Sequence, residues 1–476
     1  MAEIRIETDV VVIGAGAVGE NAADRTVQGG LDTVVVEAEL VGGECSYWAC
    51  MPSKALLRSA AVLREVRAVP GAAEAVTGEL DVAAVLRRRD AFTHDWDDRS
   101  QVEWLDGAGI RLVRGHARLT GERELLVTAE DGSRTRVHAR RAVVLATGSA
   151  ALLPDIAGLE DARPWTSREA TSAKRGPASL AILGGGVVGV EMATAYAGFG
   201  TAVTLVARGG LLSSLEPAAG DAVLEGLREL GVEVRLGVET IGASRGEAGV
   251  TLALGDGSSV TAEELLVAVG RAPRTGDLGL ETAGLEPGAW LEVDDALRVK
   301  GLDWLWAVGD VNHRALLTHQ GKYQARAAGD AIAALARGEE LDDRPWGAHV
   351  ATADHDAVPQ VVFSHPEVAA IGLTAAEAER RGLRSRVVDY DLGGIAGASV
   401  EQDGYQGTAR LVVDEDRGVV VGATFVGPRV SDLLQAATIA IVGEVPIRRL
   451  WHAVPAYPTV SEIWLRLLES LGRETA

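Results

Sequence analysis

Two glycine-rich hexapeptides of one pattern constrain this chain more than anything else in its 476 residues. The first, GAGAVG, sets Gly14, Gly16 and Gly19 directly after TDVVVI, an apolar and β-branched run at 8–13. Such a run reads as a buried parallel strand. A helical stretch follows, and then a second strand, DTVVVEA, with Glu37 at its end. In a strand–turn–helix of this kind the first glycine makes the tight turn. The second lets backbone approach a pyrophosphate, and the third lets helix pack on strand. The helix start offers unpaired N–H groups to phosphate. Glu37 stands where an acid holds ribose hydroxyls. The pattern recurs in SLAILGGGVVGV, with Gly184, Gly186 and Gly189 between two further strand candidates. Two such units predict an α/β chain with two Rossmann-like dinucleotide sites. Two dinucleotides on one chain suggest hydride transfer between cofactors.

The two units end differently. The first has its acid, which suits FAD or NAD. In the second, the strand AVTLV leads to Ala207 and Arg208, with no acid for the adenosine ribose. A cation there suits a 2′-phosphate and predicts NADPH; an acid elsewhere would still support NADH. Two later segments favour FAD for the first unit. RRAVVLATGS (140–149) is a buried strand with a glycine turn, and DWLWAVGDV (303–311) places Asp310 at a strand end. Ligands of α/β sheets bind at such ends.

The formal net charge of −22 argues against a nucleic-acid partner, whose phosphates would be repelled. No apolar run reaches bilayer length, and MAEIRIETDV lacks the basic start and apolar core of a signal peptide. The expectation is a cytoplasmic protein. Its only cysteines, Cys45 and Cys50, lie in GGECSYWACMPSK. In a reducing compartment such a pair is more often catalytic or metal-binding than structural. Ligands at zinc-finger spacing are missing, so no metal is expected. Lysine is scarce, at Lys54, Lys174, Lys300 and Lys322, which makes Lys54 beside the cysteine stretch notable.

GAGAVG, GGECSYWACMPSKALL, ATGS, GGGVVGVE, AVGRAPRTGDLGLE, AVGD and VVFSHPEVAAIGL stand in the order of one family. The whole chain resembles the pyridine nucleotide–disulfide oxidoreductases, which include glutathione reductase, dihydrolipoamide dehydrogenase and mercuric reductase. The resemblance implies an FAD domain at 1–151 and 272–349, interrupted by an NAD(P) domain at 152–271. A C-terminal α+β dimerisation domain at 350–476 follows, in a homodimer whose active site is shared across the interface. By position, Cys50 resembles the thiol that forms a charge-transfer pair with the flavin. Cys45 resembles the outer thiol that attacks a disulfide. Lys54 and Glu191 resemble the family's ion pair beside flavin and nicotinamide. Gly43, Thr147, Gly148 and Asp310 fall in its FAD motifs and Gly270 in its NAD(P) motif. His319 falls where a helix is aimed at the flavin, though it also reads as an ordinary helix-start residue.

A disulfide wants Cα atoms roughly 4.4–6.8 Å apart. Five residues of regular helix would rise about 7.5 Å and turn the side chains apart. The stretch from Cys45 to Cys50 must therefore leave helical geometry, as Gly42, Gly43 and Pro52 allow. A helix start and Lys54 would favour thiolate. Electrons would pass from NADPH through FAD to the Cys45–Cys50 disulfide, and on by thiol–disulfide exchange.

Two departures from the family pattern matter. Tyr47 and Trp48 stand between the cysteines, where small or aliphatic residues are common; they fill core, narrow access or form an aromatic platform. In WHAVPAYPTVSEIW the family's acid–base histidine is replaced by Tyr457, while Pro458, Thr459, Ser461 and the orienting Glu462 stay in register. A phenol with an ordinary pKa near ~10 is poorly matched to shuttling protons at neutral pH. His452 could substitute only if the loop folds differently, and His365 reads as structural. Mercuric reductases share the tyrosine but add a further cysteine pair and an N-terminal metal domain, neither of which is found here. The expected activity is transfer from NAD(P)H to a small-molecule disulfide or other electrophile. The alternative is a diaphorase, in which a quinone or dye takes electrons at the flavin.

Overall fold

In the computed structural model, which describes residues 4–473, TDVVVI is the C-terminal half of a ten-residue strand, Ile4–Ile13. Within it, Val10, Val11 and Val12 are fully buried between parallel neighbours, Thr33–Glu37 on one side and Arg134–Leu145 on the other. The strand is longer than the apolar run because its polar first residues also pair, Ile4 to Thr8 lying against Thr135 to Ala139. That partner lies far off in sequence, so local hydropathy does not announce it.

The chain divides into two compact units. The first comprises Met1–Pro52, Asp90–Ala151 and Arg271–His355. Its seven-stranded sheet runs Arg111–Arg114, Thr33–Glu37, Ile4–Ile13, Arg134–Leu145, Glu124–Thr128, His116–Gly121. The long strand Arg134–Leu145 serves two partners. Its start pairs antiparallel with Glu124–Thr128, and its end pairs parallel with Leu305–Ala307. The helices Ala17–Gln28 and Thr318–Ala336 belong to this unit and pack together through small residues. A Cβ on Gly321 would be 2.5 Å from the Val18 side chain, and one on Gly329 2.5 Å from Arg25.

The second unit comprises Ser53–Arg89, Leu152–Gly270 and Asp356–Ala476. It holds a four-stranded parallel sheet in the order Glu233–Leu236, Ala202–Ala207, Ser179–Leu183, Glu264–Val267. A three-stranded antiparallel sheet spans Thr240–Ala262. A five-stranded antiparallel sheet centres on Val419–Gly427, all nine residues of which are buried. The helix Ser431–Val442 follows it. Among the described residues no helix is long and apolar enough to cross a membrane, and no cluster of His, Cys, Asp or Glu is arranged to hold a metal ion.

Candidate active site

In the first unit the glycine turn is built as its sequence requires. Gly14 has φ +98°, and a Cβ there would be 2.5 Å from the Ala146 carbonyl oxygen. A Cβ on Gly19 would strike the Gly14 carbonyl. The cysteine loop sits directly on this turn. The Gly42 N–H donates to the Ala15 carbonyl at 2.7 Å, and a Cβ on Gly43 (φ +58°) would be 2.8 Å from the Gly16 Cα. Glu37 turns inward. One carboxylate oxygen accepts from the Ala15 N–H at 2.7 Å, the other from Glu39 N–H at 2.8 Å. Burial nonetheless pushes its pKa up.

Asp310 follows the strand Leu305–Ala307, in the short helix Gly309–Asn312. It accepts from the Ser149 hydroxyl at 2.5 Å, and the Arg271 guanidinium lies 3.7 Å away. Gly148 has φ +70°, and the hydroxyl oxygen of Thr147 is buried without a hydrogen-bond partner among the described residues. A backbone turn with no room for a Cβ at Gly14, Gly19 or Gly43, the half-buried acids Glu37 and Asp310, and an orphaned hydroxyl together fit a flavin dinucleotide.

Cys45 lies in a short helix, Gly43–Tyr47, and Cys50 opens a second, Cys50–Arg67. Between them Trp48 leaves helical geometry, with φ −136° and ψ −3°. The interruption expected from disulfide geometry is therefore present. Pro52 is in the first turn of the second helix, where its missing N–H goes unnoticed. Both cysteines are half-buried thiols. The Cys50 sulfur is 3.3 Å from the Thr318 hydroxyl. A hydrogen bond to Cys50, and then burial, push the Cys45 pKa up; Thr318 and the Lys322 ammonium oppose the rise. Tyr47 is fully buried, its hydroxyl 3.2 Å from the Gln101 side-chain oxygen and its ring edge-on to Trp48. Of the readings open for Tyr47, core filling is the one its burial fits. His319, second residue of its helix, is exposed.

The second unit repeats the glycine turn. Gly184 has φ +124°, a Cβ on it would strike the Ala268 carbonyl, and one on Gly189 would strike Gly184. Gly186 caps the helix Val187–Gly198, and Gly270 has φ +151°. Arg208 is exposed just past the strand Ala202–Ala207. Glu191, on the Val187–Gly198 helix, is buried and accepts from Lys54 at 2.8 Å and from the Phe363 N–H at 3.0 Å. The Lys54 ammonium also lies 5.0 Å from the centre of the Phe363 ring. A cation is thus held by charge, hydrogen bond and aromatic face.

In the C-terminal segment Tyr457 is 75% exposed. Glu462 is buried and bonds Arg466 at 2.6 Å, one turn along. Its other oxygen has no partner among the described residues. His452 is exposed. His365 lies 3.4 Å from Glu229, and burial lowers its pKa. The structure thus gathers Cys45 and Cys50 in one unit and Lys54 and Glu191 in the other. Sequence reasoning missed Thr318 and Phe363 as direct neighbours of those groups, though both lie inside stretches it had marked, ALLTHQGK and VVFSHPE.

Comparison with known proteins agrees with this geometry. Residues 8–332 match the family described as pyridine nucleotide-disulphide oxidoreductase, and 358–467 match its dimerisation domain. A mercuric reductase of Shigella flexneri is 32% identical over 95% of this chain and 79% of that protein. A dihydrolipoyl dehydrogenase of Haloferax volcanii is 30% identical over 98% and 97%. The HOCl-induced flavoprotein disulfide reductase RclA of Escherichia coli shares the fold, with a TM-score of 0.83 at 24% identity, over 98% of this chain and 99% of that one. The chain belongs to the pyridine nucleotide–disulphide oxidoreductases, enzymes that use FAD and NAD(P)H.

Proposed function

We propose that this enzyme passes electrons from NAD(P)H to a Cys45–Cys50 redox disulfide, and on to a disulfide or other electrophilic small molecule. The observation that carries the reading is the pair of half-buried thiols, Cys45 and Cys50, set on either side of a break between two helices, with the Cys50 sulfur 3.3 Å from the Thr318 hydroxyl. Gly14, Gly16, Gly19, Glu37, Gly43, Thr147, Gly148, Asp310 and His319 would hold FAD. Gly184, Gly186, Gly189, Arg208 and Gly270 would hold the nicotinamide nucleotide. When bound, FAD supplies two-electron exchange between reduced nicotinamide and the cysteine pair. The domain division at 1–151 with 272–349, 152–271 and 350–476 belongs to the same reading.

The chain's own chemistry is thiol–disulfide exchange. The Cys45 thiolate attacks an acceptor R–S–S–R, forming a Cys45–S–S–R bond and releasing RS⁻. Cys50 then attacks the Cys45 sulfur, forming the Cys45–Cys50 bond and releasing the second RS⁻. The two protons that the cysteines held end on the two RS⁻ groups, giving two RSH. The Thr318 hydroxyl, 3.3 Å away, orients the Cys50 sulfur. Glu191 fixes the Lys54 cation that the family places beside flavin and nicotinamide.

The exposed Arg208 supports NADPH over NADH, as a guanidinium free to meet a 2′-phosphate. The match to a dimerisation domain supports a homodimer, in which the 451–464 stretch would lie at the interface; a cytoplasmic location belongs to the same reading. A diaphorase is the second reading. It is favoured by Tyr457 where the proton-donating histidine is expected, and by Glu462 being bonded to Arg466.

The test counts thiols. Oxidised protein treated anaerobically with NADPH, quenched and alkylated should gain two thiols per chain, mapped to Cys45 and Cys50. Full flavin content and quinone turnover with no gain in thiols would sink the reading in favour of the diaphorase.

A further inference from the structure

We infer that Gln324 and Asp354 are positioning residues for the flavin acid: Gln324 holds both ends of the turn that carries Asp310, and Asp354 holds Gln324. The inference rests on the reading of Asp310 as an FAD-binding residue. It begins with the short helix Gly309–Asn312, which follows the strand Leu305–Ala307. The Gly309 N–H, at its start, donates to the Gln324 side-chain oxygen at 2.7 Å. The Asn312 amide, at its end, donates to the same oxygen at 2.8 Å and to the Ala307 carbonyl at 3.0 Å. Asp310 lies between the two points so held.

Backbone space lets Gln324 reach the turn. It stands on the helix Thr318–Ala336, three residues from Gly321 and so on the same face. A Cβ on Gly321 would be 3.1 Å from the Gly309 Cα, and Gly309 itself has φ +78°. Glycine at both positions brings helix and turn together.

Gln324 is fully buried, and its oxygen already takes two donors. Its orientation is therefore set, and its amide nitrogen must find an acceptor. That acceptor is one carboxylate oxygen of Asp354, at 2.9 Å. The other accepts from the Gln320 amide at 2.8 Å. Both Asp354 and Gln320 are buried. Burial pushes the Asp354 pKa up; the Gln320 amide and then the Arg314 guanidinium, 3.8 Å away, oppose the rise. Two buried amide donors need two acceptor oxygens, which a carboxylate offers. Removing one member of such a network strands the others without partners. Asp310 itself bonds Ser149, so Asp354 acts on it through Gln324 and the turn.

The test times the release of FAD from the holoenzyme, filtering the protein off at intervals and reading the flavin that passes. Gln324→Met, close in shape but without donor or acceptor, should speed release about tenfold. The double variant Gln324→Glu with Asp354→Asn exchanges carboxylate and amide, and so keeps a donor facing an acceptor at each contact. It should release FAD within about twofold of the unsubstituted rate. Added to Asp310→Ala, itself a fast releaser, Gln324→Met should change the rate less than about twofold, because its effect runs through Asp310. Should Gln324→Met not fold, Asn312→Ala, which frees one end of the turn, takes its place with the same readings. Release at the unsubstituted rate in the single variant overturns the inference. So does a tenfold effect that persists undiminished beside Asp310→Ala, which marks a role in the core alone. A double variant as fast as Gln324→Met overturns the part given to Asp354. If Asp310→Ala alone releases FAD at the unsubstituted rate, the assignment of Asp310 to the flavin fails and the inference falls with it; the other outcomes strike the inference alone.

Discussion

The two glycine turns of this chain are close copies until their second strands end. In both, the first glycine has positive φ under a carbonyl of a neighbouring strand, Ala146 in one and Ala268 in the other. In both, a side chain on the third glycine would strike the carbonyl of the first. Counting from the first glycine, Glu37 of one unit stands where Ala207 stands in the other, and Ala15 where Gly185 stands. Glu37 bonds the Ala15 N–H. Ala207 instead leaves room for Gly185, where an added Cβ would be 3.2 Å from that of Ala207, and the next residue, Arg208, is exposed. After the third glycine the first unit has Glu20 and the second has Val190, fully buried. The glycines set the same turn in both units; under the proposed reading, the residues around them would decide which nucleotide each takes.

The largest effects should come from breaking one turn and sparing the other. Gly14→Val forces a branched side chain into positive φ and onto the Ala146 carbonyl. It should abolish flavin retention, seen as loss of the yellow chromophore on purification. Gly184→Val should leave the flavin bound while kcat/KM for NADPH falls more than about 100-fold, an estimate from backbone strain plus lost phosphate contact of ~3 kcal/mol or more. Retention of flavin by Gly14→Val would break the comparison.

Next in size, Arg208→Glu gives the second turn an acid near the strand end. It should lower kcat/KM for NADPH about 10- to 100-fold and change NADH much less, since a bidentate contact to phosphate is lost. Equal losses for both nucleotides would remove Arg208 from the site. Tyr457→His should raise glutathione disulfide or lipoamide reduction by about tenfold, below the usual gain from a general acid because Glu462 must first leave Arg466. No gain would count against loss of the acid as the reason for a changed substrate.

The smallest effect concerns Glu20→Val, which gives the first turn the residue of the second. The folded-state pKa of Glu20 is raised from 4.5 to about 7. Its contribution to stability is therefore full below about 4.5 and falls as pH rises toward about 7, because the unfolded chain releases its proton first. Thermal melts of the variant should lose that slope, worth roughly 1 kcal/mol once the charge is discounted for partial solvation. An unchanged slope would put the titration elsewhere.

Much of this was legible in order along the chain. Strand, glycine turn and helix follow from local hydropathy and from the backbone freedom of Gly14 and Gly184. The helix break between Cys45 and Cys50 follows from sulfur geometry alone. What was not legible comes from residues brought together across long separations. Thr318 reaches Cys50 from 268 positions away. Phe363 receives the Lys54 cation because its N–H and that lysine share Glu191. Ser149 and Arg271 gather around Asp310 through hydrogen bonds that no local pattern marks. Arg466 was within reach of sequence reasoning, one helical turn from Glu462.

The claim that electrons leave by way of the cysteines is tested most directly by Cys45→Ser, assayed side by side with a disulfide and a quinone under NADPH. The account predicts that disulfide reduction falls more than about 1,000-fold, since no attacking thiolate remains, while quinone reduction persists within about twofold. Disulfide reduction that survives in Cys45→Ser would contradict it.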